Sequence, residues 1–376
     1  MNNKQKLIVL GIETSCDETS ASILEYKPSN KNCCFKIISN IISSQIPIHQ
    51  KYGGIIPEIA ARAHLENILP VIRQSLNNFD FKKINLIAVT HGPGLITSLL
   101  VGVEAAKTLS YLWQKPLIGV NHLEGHLAAN FIGGNSKFQS APPVGGWRTN
   151  FKLFPAISLI VSGGHTELGF IKKFGHYQKI GQTRDDAAGE CFDKIAKMLN
   201  LGYPGGPAIA ERSRQWKFQI TNNKSQIYLP RPMINSNDFD FSFSGLKTAV
   251  LYLVQKNKAK IKNQNFIQNV CDESQQAIVD VLISKTIKAA KKYQAKTVFL
   301  SGGVAANSEL REQLEVAVKK IKPQTNFFVP SRNLCADNAA MIAAAGAIKY
   351  SHLTPKQKTK LKNTWQKIKV DPNLSL

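Results

Sequence analysis

The sequence predicts an α/β protein made of two related halves facing each other across a cleft. Three observations carry this expectation. Over the first 120 residues, apolar strand-like runs alternate with helical patterns, the signature of a layered α/β unit. A strand, small-residue turn, strand plan at residues 7–26 returns at residues 155–171, which suggests duplication. Glycine-rich turns then lead from strands into helices, a common chain reversal in such folds and a ready anion site.

Composition sets the outer limits. With 376 residues, 43% of them hydrophobic, the chain can bury a sizeable core and form more than one domain. Lys and Arg number 48 against 25 Asp and Glu, and the net charge of +23 favours an acidic partner such as nucleic acid, although a solvated lysine-rich surface gives the same balance. Six cysteines without a Cys-x-x-Cys pair suggest a reducing compartment. The N-terminus runs straight into Leu7-Ile-Val-Leu10 with no apolar leader, so a cytoplasmic protein is expected. The most apolar long segment, Leu95 to Trp113, is broken by Thr97, Glu104 and Lys107; it reads as a buried helix, and no membrane partner is expected.

In chain order, Leu7 to Thr14 and Ser20 to Tyr26 are strands joined by Ser15-Cys-Asp-Glu-Thr19. Such a turn presents N–H groups and hydroxyls to a phosphate or a metal, with Asp17 and Glu18 as acceptor or base; an ordinary polar hairpin has the same composition. A third strand covers Cys34 to Ser44, and helical spacing runs from Pro57 through Ile59, Ala63, Ile68 and Ile72. Leu86 to Thr90 is a buried strand whose loop His91-Gly-Pro-Gly94 opens onto a helix, and Leu117 to Val120 is another short strand. Residues 133–152 have the composition of a flexible insertion.

The second half restarts with Pro155 to Val161, the turn Ser162-Gly-Gly-His-Thr166 and Glu167 to Ile171. Asp185 to Leu199 reads as a helix with Asp186, Glu190 and Asp193 along one side, suited to ribose hydroxyls or to solvent. In Gly202-Tyr-Pro-Gly-Gly-Pro207 the paired glycines let backbone approach a flat ligand. Ser244 reads as an N-cap, and Lys247 in that helix's first turn opposes the helix dipole and hints at a nearby anion. After helices at 262–293, Thr297 to Ser301 leads into the turn Gly302 to Asn307, whose Asn307 can bond a base edge. Asp337 sits at a strand-to-helix junction, the place of an N-cap or a ligand. Beyond Leu353 the chain is lysine-rich and fold-poor around Trp365, either touching RNA or forming a mobile tail.

One stretch points to a metal. In Asn121-His-Leu-Glu-Gly-His126 the two histidines are four apart and share a face if the segment is helical. Two hydrogen-bonded histidines at a helix start are the plain alternative. The zinc-protease pattern has a glutamate directly after its first histidine. Leu123 takes that place, and Glu124 lies about 200° round the helix, so the segment carries no protease base.

Taken together, Gly11-Ile-Glu-Thr-Ser-Cys-Asp-Glu-Thr19, Gly92-Pro-Gly-Leu95, His122 to His126, Val161-Ser-Gly-Gly-His-Thr166, Asp185 to Lys194, Tyr203-Pro-Gly-Gly206, Phe241 to Thr248, Ser301 to Asn307 and Asp337-Asn338 resemble the TsaD family. These are the tRNA N6-adenosine threonylcarbamoyltransferases, formerly described as O-sialoglycoprotein endopeptidases. The resemblance implies the actin, Hsp70 and sugar-kinase-like (ASKHA) fold, with duplicated ribonuclease-H-like lobes around the cleft. The lobes would be residues 1–120 with 338–376, and 121–337.

It further implies a divalent metal, iron first and zinc second, on His122, His126 and Asp337. The donor substrate would be threonylcarbamoyl-AMP, held by Ile160, Val161, Ser162, Gly163 and Gly164, by Asp193 at the ribose, Gly206 beside the adenine and Asn307 at the base. The acceptor is N6 of the adenosine 3′ to the anticodon in tRNAs that read codons beginning with A. Asp17 or Glu18, in the turn facing the cleft of this fold, would orient or deprotonate that amine. The expected partners are tRNA, a TsaB-type paralogue and a TsaE-type ATPase. Residues 133–152 and the lysine-rich tail depart from the family pattern and inherit no role. The competing readings are a metalloprotease, a non-haem iron oxygenase with two histidines and a carboxylate, and an ATPase, sugar kinase or RNA-binding scaffold on the same fold.

Overall fold

The computed structural model describes residues 6–27, 34–132, 153–173, 175–219 and 227–376; the expected insertion at 133–152 lies outside the described residues. The chain divides into two compact units, residues 1–152 with 330–376, and residues 153–329. The expected lobe boundaries fall after residues 120 and 337. In the division found, the helix that carries the two histidines and the loop that carries Asp337 belong together in the first unit.

The first unit is built on strands β1 (Leu7–Glu13), β2 (Glu18–Lys27), β3 (Cys34–Ser44), β4 (Leu86–Gly92) and β5 (Leu117–Asn121). Their order is β3-β2-β1-β4-β5, with β1, β2 and β3 antiparallel and β4 and β5 running parallel to β1. The central strand β1 is apolar almost throughout because both its faces are covered. Ile8, Leu10 and Ile12 pack with Ile68, Val71 and Ile72 of the helix Pro57–Leu76 and with Val103 and Ala106 of the helix Ile96–Trp113. On the opposite face, Gly11 lies against Ala339 and Ala343 of the helix Ala339–Ser351, so only a small residue fits there.

The second unit repeats the plan. Strands β6 (Ala156–Val161), β7 (Thr166–Lys173), β8 (His176–Gln182), β9 (Thr297–Ser301) and β10 (Asn326–Phe328) have the order β10-β9-β6-β7-β8. Again the first three are antiparallel and the last two parallel. Read from the third strand of each unit, the two orders are the same, which is the duplication that the repeated hairpins suggested. The fold is the two-lobe α/β plan of the ASKHA class. Helices Ala188–Met198, Gly205–Gln219, Ser244–Lys256, Gln264–Lys292 and Ser308–Ile321 complete this unit. The stretch read as several helices at 262–293 is one long helix after a short 3-10 turn.

Three local expectations are corrected. The tail is not fold-poor: Thr354 and Gln357 form a capping box on the helix Pro355–Lys360, and a 3-10 turn follows at Leu361–Gln366. Trp365 packs edge-on to Tyr111 at 5.2 Å, and Ile368 and Val370 lie on the core of the first unit, which offsets the ordering of so polar a segment. Ser244 is not an N-cap but the first residue of its helix. Burial would raise the Asp185 carboxyl, but donation from the Ser242 hydroxyl, the Phe243 N–H and the hydroxyl and N–H of Ser244 holds it below its ordinary value. Lys247 points at no free anion, since its ammonium is 2.7 Å from Asp186.

Candidate metal centre and nucleotide loops

The end of β5 turns directly into the helix His122–Ala129, whose N-cap Asn121 accepts a 2.8 Å bond from the Leu123 N–H. This places His122 and His126 one turn apart with ring centroids 4.7 Å from each other, both buried. Asp337, just before the N-cap Asn338 of the helix Ala339–Ser351, completes the cluster. Its Oδ1 lies 3.4 Å from His122 Nε2 and 3.1 Å from His126 Nε2. Donors each about 2.1 Å from one cation lie about 3.0–3.4 Å apart at octahedral to tetrahedral angles, so these separations suit a single ion. Among the described residues neither ring nitrogen of His126 has a hydrogen-bond partner, although both are buried, and a buried polar atom left so is costly unless a ligand satisfies it. Two imidazoles and a carboxylate fit iron or zinc.

Sequence reasoning missed Glu13. It ends β1 fully buried, with its Oε2 3.3 Å from His122 Nδ1. It also accepts 2.5 Å and 2.6 Å bonds from the Thr90 hydroxyl and the Ser15 N–H. The Ser15 hydroxyl lies 3.1 Å from the same His122 nitrogen. Nδ1 is therefore engaged and Nε2 is turned to Asp337, the arrangement that fixes the tautomer of a metal-binding histidine. Burial alone would drive the His122 proton off, but the Asp337 and Glu13 carboxylates outweigh it and push the imidazole up to about 9, while Glu13 is held below its ordinary value by His122 in spite of its own burial. An isolated acid at the end of the apolar run Leu7 to Ile12 was the available signal. Glu13→Gln is expected to weaken metal binding by about 10–100-fold, read by metal titration of the apo protein.

The turn between β1 and β2 adds the two candidate catalytic acids. Asp17 is buried and Glu18 nearly so. Burial, then the charges of Asp17 and Asp337, push the Glu18 carboxyl well above the ordinary carboxylate range. Glu18 thus lies within the electrostatic reach of the metal cluster.

In the second unit the nucleotide candidates fall into one region. Ile160 and Val161 are buried at the end of β6, and the exposed Gly163 and Gly164 sit in a turn closed by Ser162, whose N–H donates to the His165 carbonyl at 2.8 Å and whose hydroxyl accepts from the His165 N–H at 3.0 Å. The Ser162 carbonyl accepts from Gly189 at 3.1 Å, tying this turn to the helix of Asp193. Asp193 Oδ1 accepts from the Gly205 N–H at 2.7 Å, which sets Gly206 beside it. Side-chain space at Gly163, Gly164 and Gly206 is open, as a close-lying ligand requires. Asn307 is partly engaged: it caps the helix Ser308–Ile321 through Leu310 and donates to Gln275 at 2.7 Å, so a base edge would meet the second of its two amide hydrogens.

Gly302 holds the third turn against the first. Its φ is +91°, and a Cβ there would overlap the Val161 carbonyl oxygen. Gly302→Ala is expected to lower unfolding free energy by about 1–3 kcal/mol, measured by urea titration.

A family model described as TsaD, tRNA N6-adenosine threonylcarbamoyltransferase, matches residues 36–344. The chain belongs to the TsaD family. A tRNA N6-adenosine threonylcarbamoyltransferase of Syntrophomonas wolfei is 45% identical over 350 residues, covering 93% of this chain and 94% of the relative. One of Thermosipho africanus is 46% identical over 343 residues, 90% and 93% of the two chains. Among solved structures, HypF of T. kodakarensis shares the fold at a TM-score of 0.53 and 14% identity over 95% of this chain; the chain spans about half of that protein, 49%. Among the described residues no helix is long and apolar enough to cross a membrane.

Proposed function

We propose that this member of the TsaD family transfers the threonylcarbamoyl group of threonylcarbamoyl-AMP to N6 of the adenosine 3′ to the anticodon in tRNAs reading codons that begin with A. Threonylcarbamoyl transfer to tRNA adenosine is the activity named for its relatives. The observation that carries the reading is identity of 45% sustained along nearly the whole of both chains. The reaction forms a bond from N6 to the carbonyl carbon, breaks the bond from that carbon to the phosphate oxygen, and releases AMP and a proton.

His122, His126 and Asp337 would hold the divalent cation, iron first and zinc second, and Glu13 would orient His122. When bound, such an ion supplies Lewis acidity toward oxygens of the activated group. Glu18 takes the amine proton, for which a carboxyl of raised proton affinity is a stronger base than an ordinary one, and burial with the adjacent Asp17 charge maintains that rise. In the second unit, Ile160 and Val161 support the Ser162–Gly164 turn, whose N–H groups receive negative charge of the nucleotide. Asp193 takes the ribose, Gly206 lies beside the adenine and Asn307 serves the base edge. The metalloprotease reading lacks support here, since Leu123 is buried where the protease base would stand.

The protein works in the cytoplasm with a TsaB-type paralogue and a TsaE-type ATPase. A protein partner is supported by Leu65 and Leu69, one turn apart and 64% and 67% exposed on the helix Pro57–Leu76. Leu65→Glu with Leu69→Glu is expected to weaken association with the paralogue by at least about tenfold without loss of fold, read by sedimentation and circular dichroism. The function itself is tested by mixing the protein and its partners with preformed adenylate and tRNA. Threonylcarbamoyladenosine in the tRNA digest is the expected product, and unmodified adenosine with intact donor would count against the assignment.

A further inference from the structure

The tail beyond the family's matched region builds a cationic pocket on the first unit. Residues 367–371 alternate, with Lys367, Lys369 and Asp371 exposed while Ile368 and Val370 turn to the core, so the two lysines share the outward side. The segment is pinned along its length. Thr364 donates to the Leu117 carbonyl at 2.6 Å, Asp371 N–H donates to the His91 carbonyl at 2.8 Å, and Gly94 N–H donates to Pro372 at 3.2 Å. Asp371 passes so close to Gly92 that a Cβ at Gly92 would overlap its carbonyl oxygen.

Between this strap and the sheet lies a pocket of about 570 Å³ lined by His91, Gly119, Lys349, Lys367, Lys369 and Asp371, among others. Lys349 is fixed there by a 3.0 Å bond to the Gly119 carbonyl. Three lysines and one carboxylate, Asp371, line the pocket, and Glu124 lies within electrostatic range of Lys349, so positive charge is in excess. Among the described residues, none of the three lysines is in an ion pair. Lysines held by backbone anchors around a concave, solvent-open space suit a compact oxyanion.

We infer that Lys349, Lys367 and Lys369 form a phosphate site that grips the backbone of the tRNA substrate, outside the reacting centre. The inference rests on the proposed function for the identity of the RNA. A phosphodiester satisfies several ammonium groups at once and releases condensed counterions, so the contact shows in affinity and salt dependence, not in chemistry.

The test compares the wild-type protein with Lys367→Ser/Lys369→Ser, which keeps Ile368, Val370 and every backbone anchor. The reference is Lys82→Ser/Lys83→Ser, which removes the same charge from an exposed turn of the same unit. The tail variant is expected to bind tRNA about tenfold more weakly, with the slope of log K against log salt reduced by about 1–2. In the transfer reaction its KM for tRNA rises while kcat holds. Lys367→Arg/Lys369→Arg restores binding, and the reference variant stays near wild type.

Equal losses in both serine variants, or an unchanged Kd and slope in the tail variant, overturn the inference. So does protection of the two lysines from acetylation by inorganic phosphate as strong as that by tRNA at equal phosphate concentration, which would make the pocket a small-anion site. Loss of transfer in the wild type with the binding differences intact would instead reject the proposed function and leave the phosphate site standing.

Discussion

His126→Ala is expected to lose the bound metal and to lower threonylcarbamoyl transfer by about 10²–10⁴-fold, the several kcal/mol that a Lewis acid contributes to such a reaction. The histidine is 1% exposed, its Nε2 stands 3.1 Å from Asp337, and among the described residues its ring has no hydrogen-bond partner, so a ligand removed there leaves a gap in the cluster. Truncating a buried ring also leaves a cavity. Asp337→Asn avoids that loss of volume and is expected to fall in the same range, with far-ultraviolet circular dichroism unchanged. Elemental analysis and single-turnover rates are measured on both. Full metal occupancy with an unchanged rate in either variant would contradict the ligand assignment.

Glu18→Ala is expected to lower the single-turnover rate with preformed adenylate by about 10²–10⁴-fold, the usual contribution of a positioned base. A base must be ionised to act. Because burial and the Asp17 charge hold the Glu18 carboxyl well above 4.5, the rate is lost on the acid side at a pH well above that of an ordinary glutamate. Removing the neighbouring charge lowers that value. Asp17→Asn should therefore move the acid limb of the pH–rate profile to lower pH, with the plateau rate falling less than in Glu18→Ala. An acid limb unmoved in Asp17→Asn removes Glu18 from the role.

What the sequence revealed follows the range of the interactions involved. The hairpins at residues 7–26 and 155–171 were legible because strand, turn and strand are encoded within a few neighbouring residues. The pair His122 and His126 was legible because helix geometry alone puts residues four apart on one face. Asp337 has no such local signature. It reaches the histidines only because the helix Ala339–Ser351 returns to β1 against Gly11, and it was found through family resemblance. Glu13 was hidden for the opposite reason, since an acid ending a buried strand looks like the strand's polar boundary until the fold places His122 over it.

The tail and Lys247 show how composition misleads. Counting lysines beyond Leu353 hid the period-two pattern of Lys367, Ile368, Lys369 and Val370, which is what lets the segment lie on the core. Lys247 looked like a cation awaiting an anion because its partner, Asp186, is distant in sequence. Asn307 was read by its chemistry as a base reader, whereas its position after a 3-10 turn makes it a helix cap as well.

Delivery of threonylcarbamoyl groups to tRNA by this chain is read by mass spectrometry of tRNA nucleosides from cells depleted of the protein. N6-threonylcarbamoyladenosine is predicted to fall as the protein is lost, to return with the wild-type chain and to stay low with His126→Ala. An unchanged level of the modified nucleoside in depleted cells would show that another protein performs the transfer.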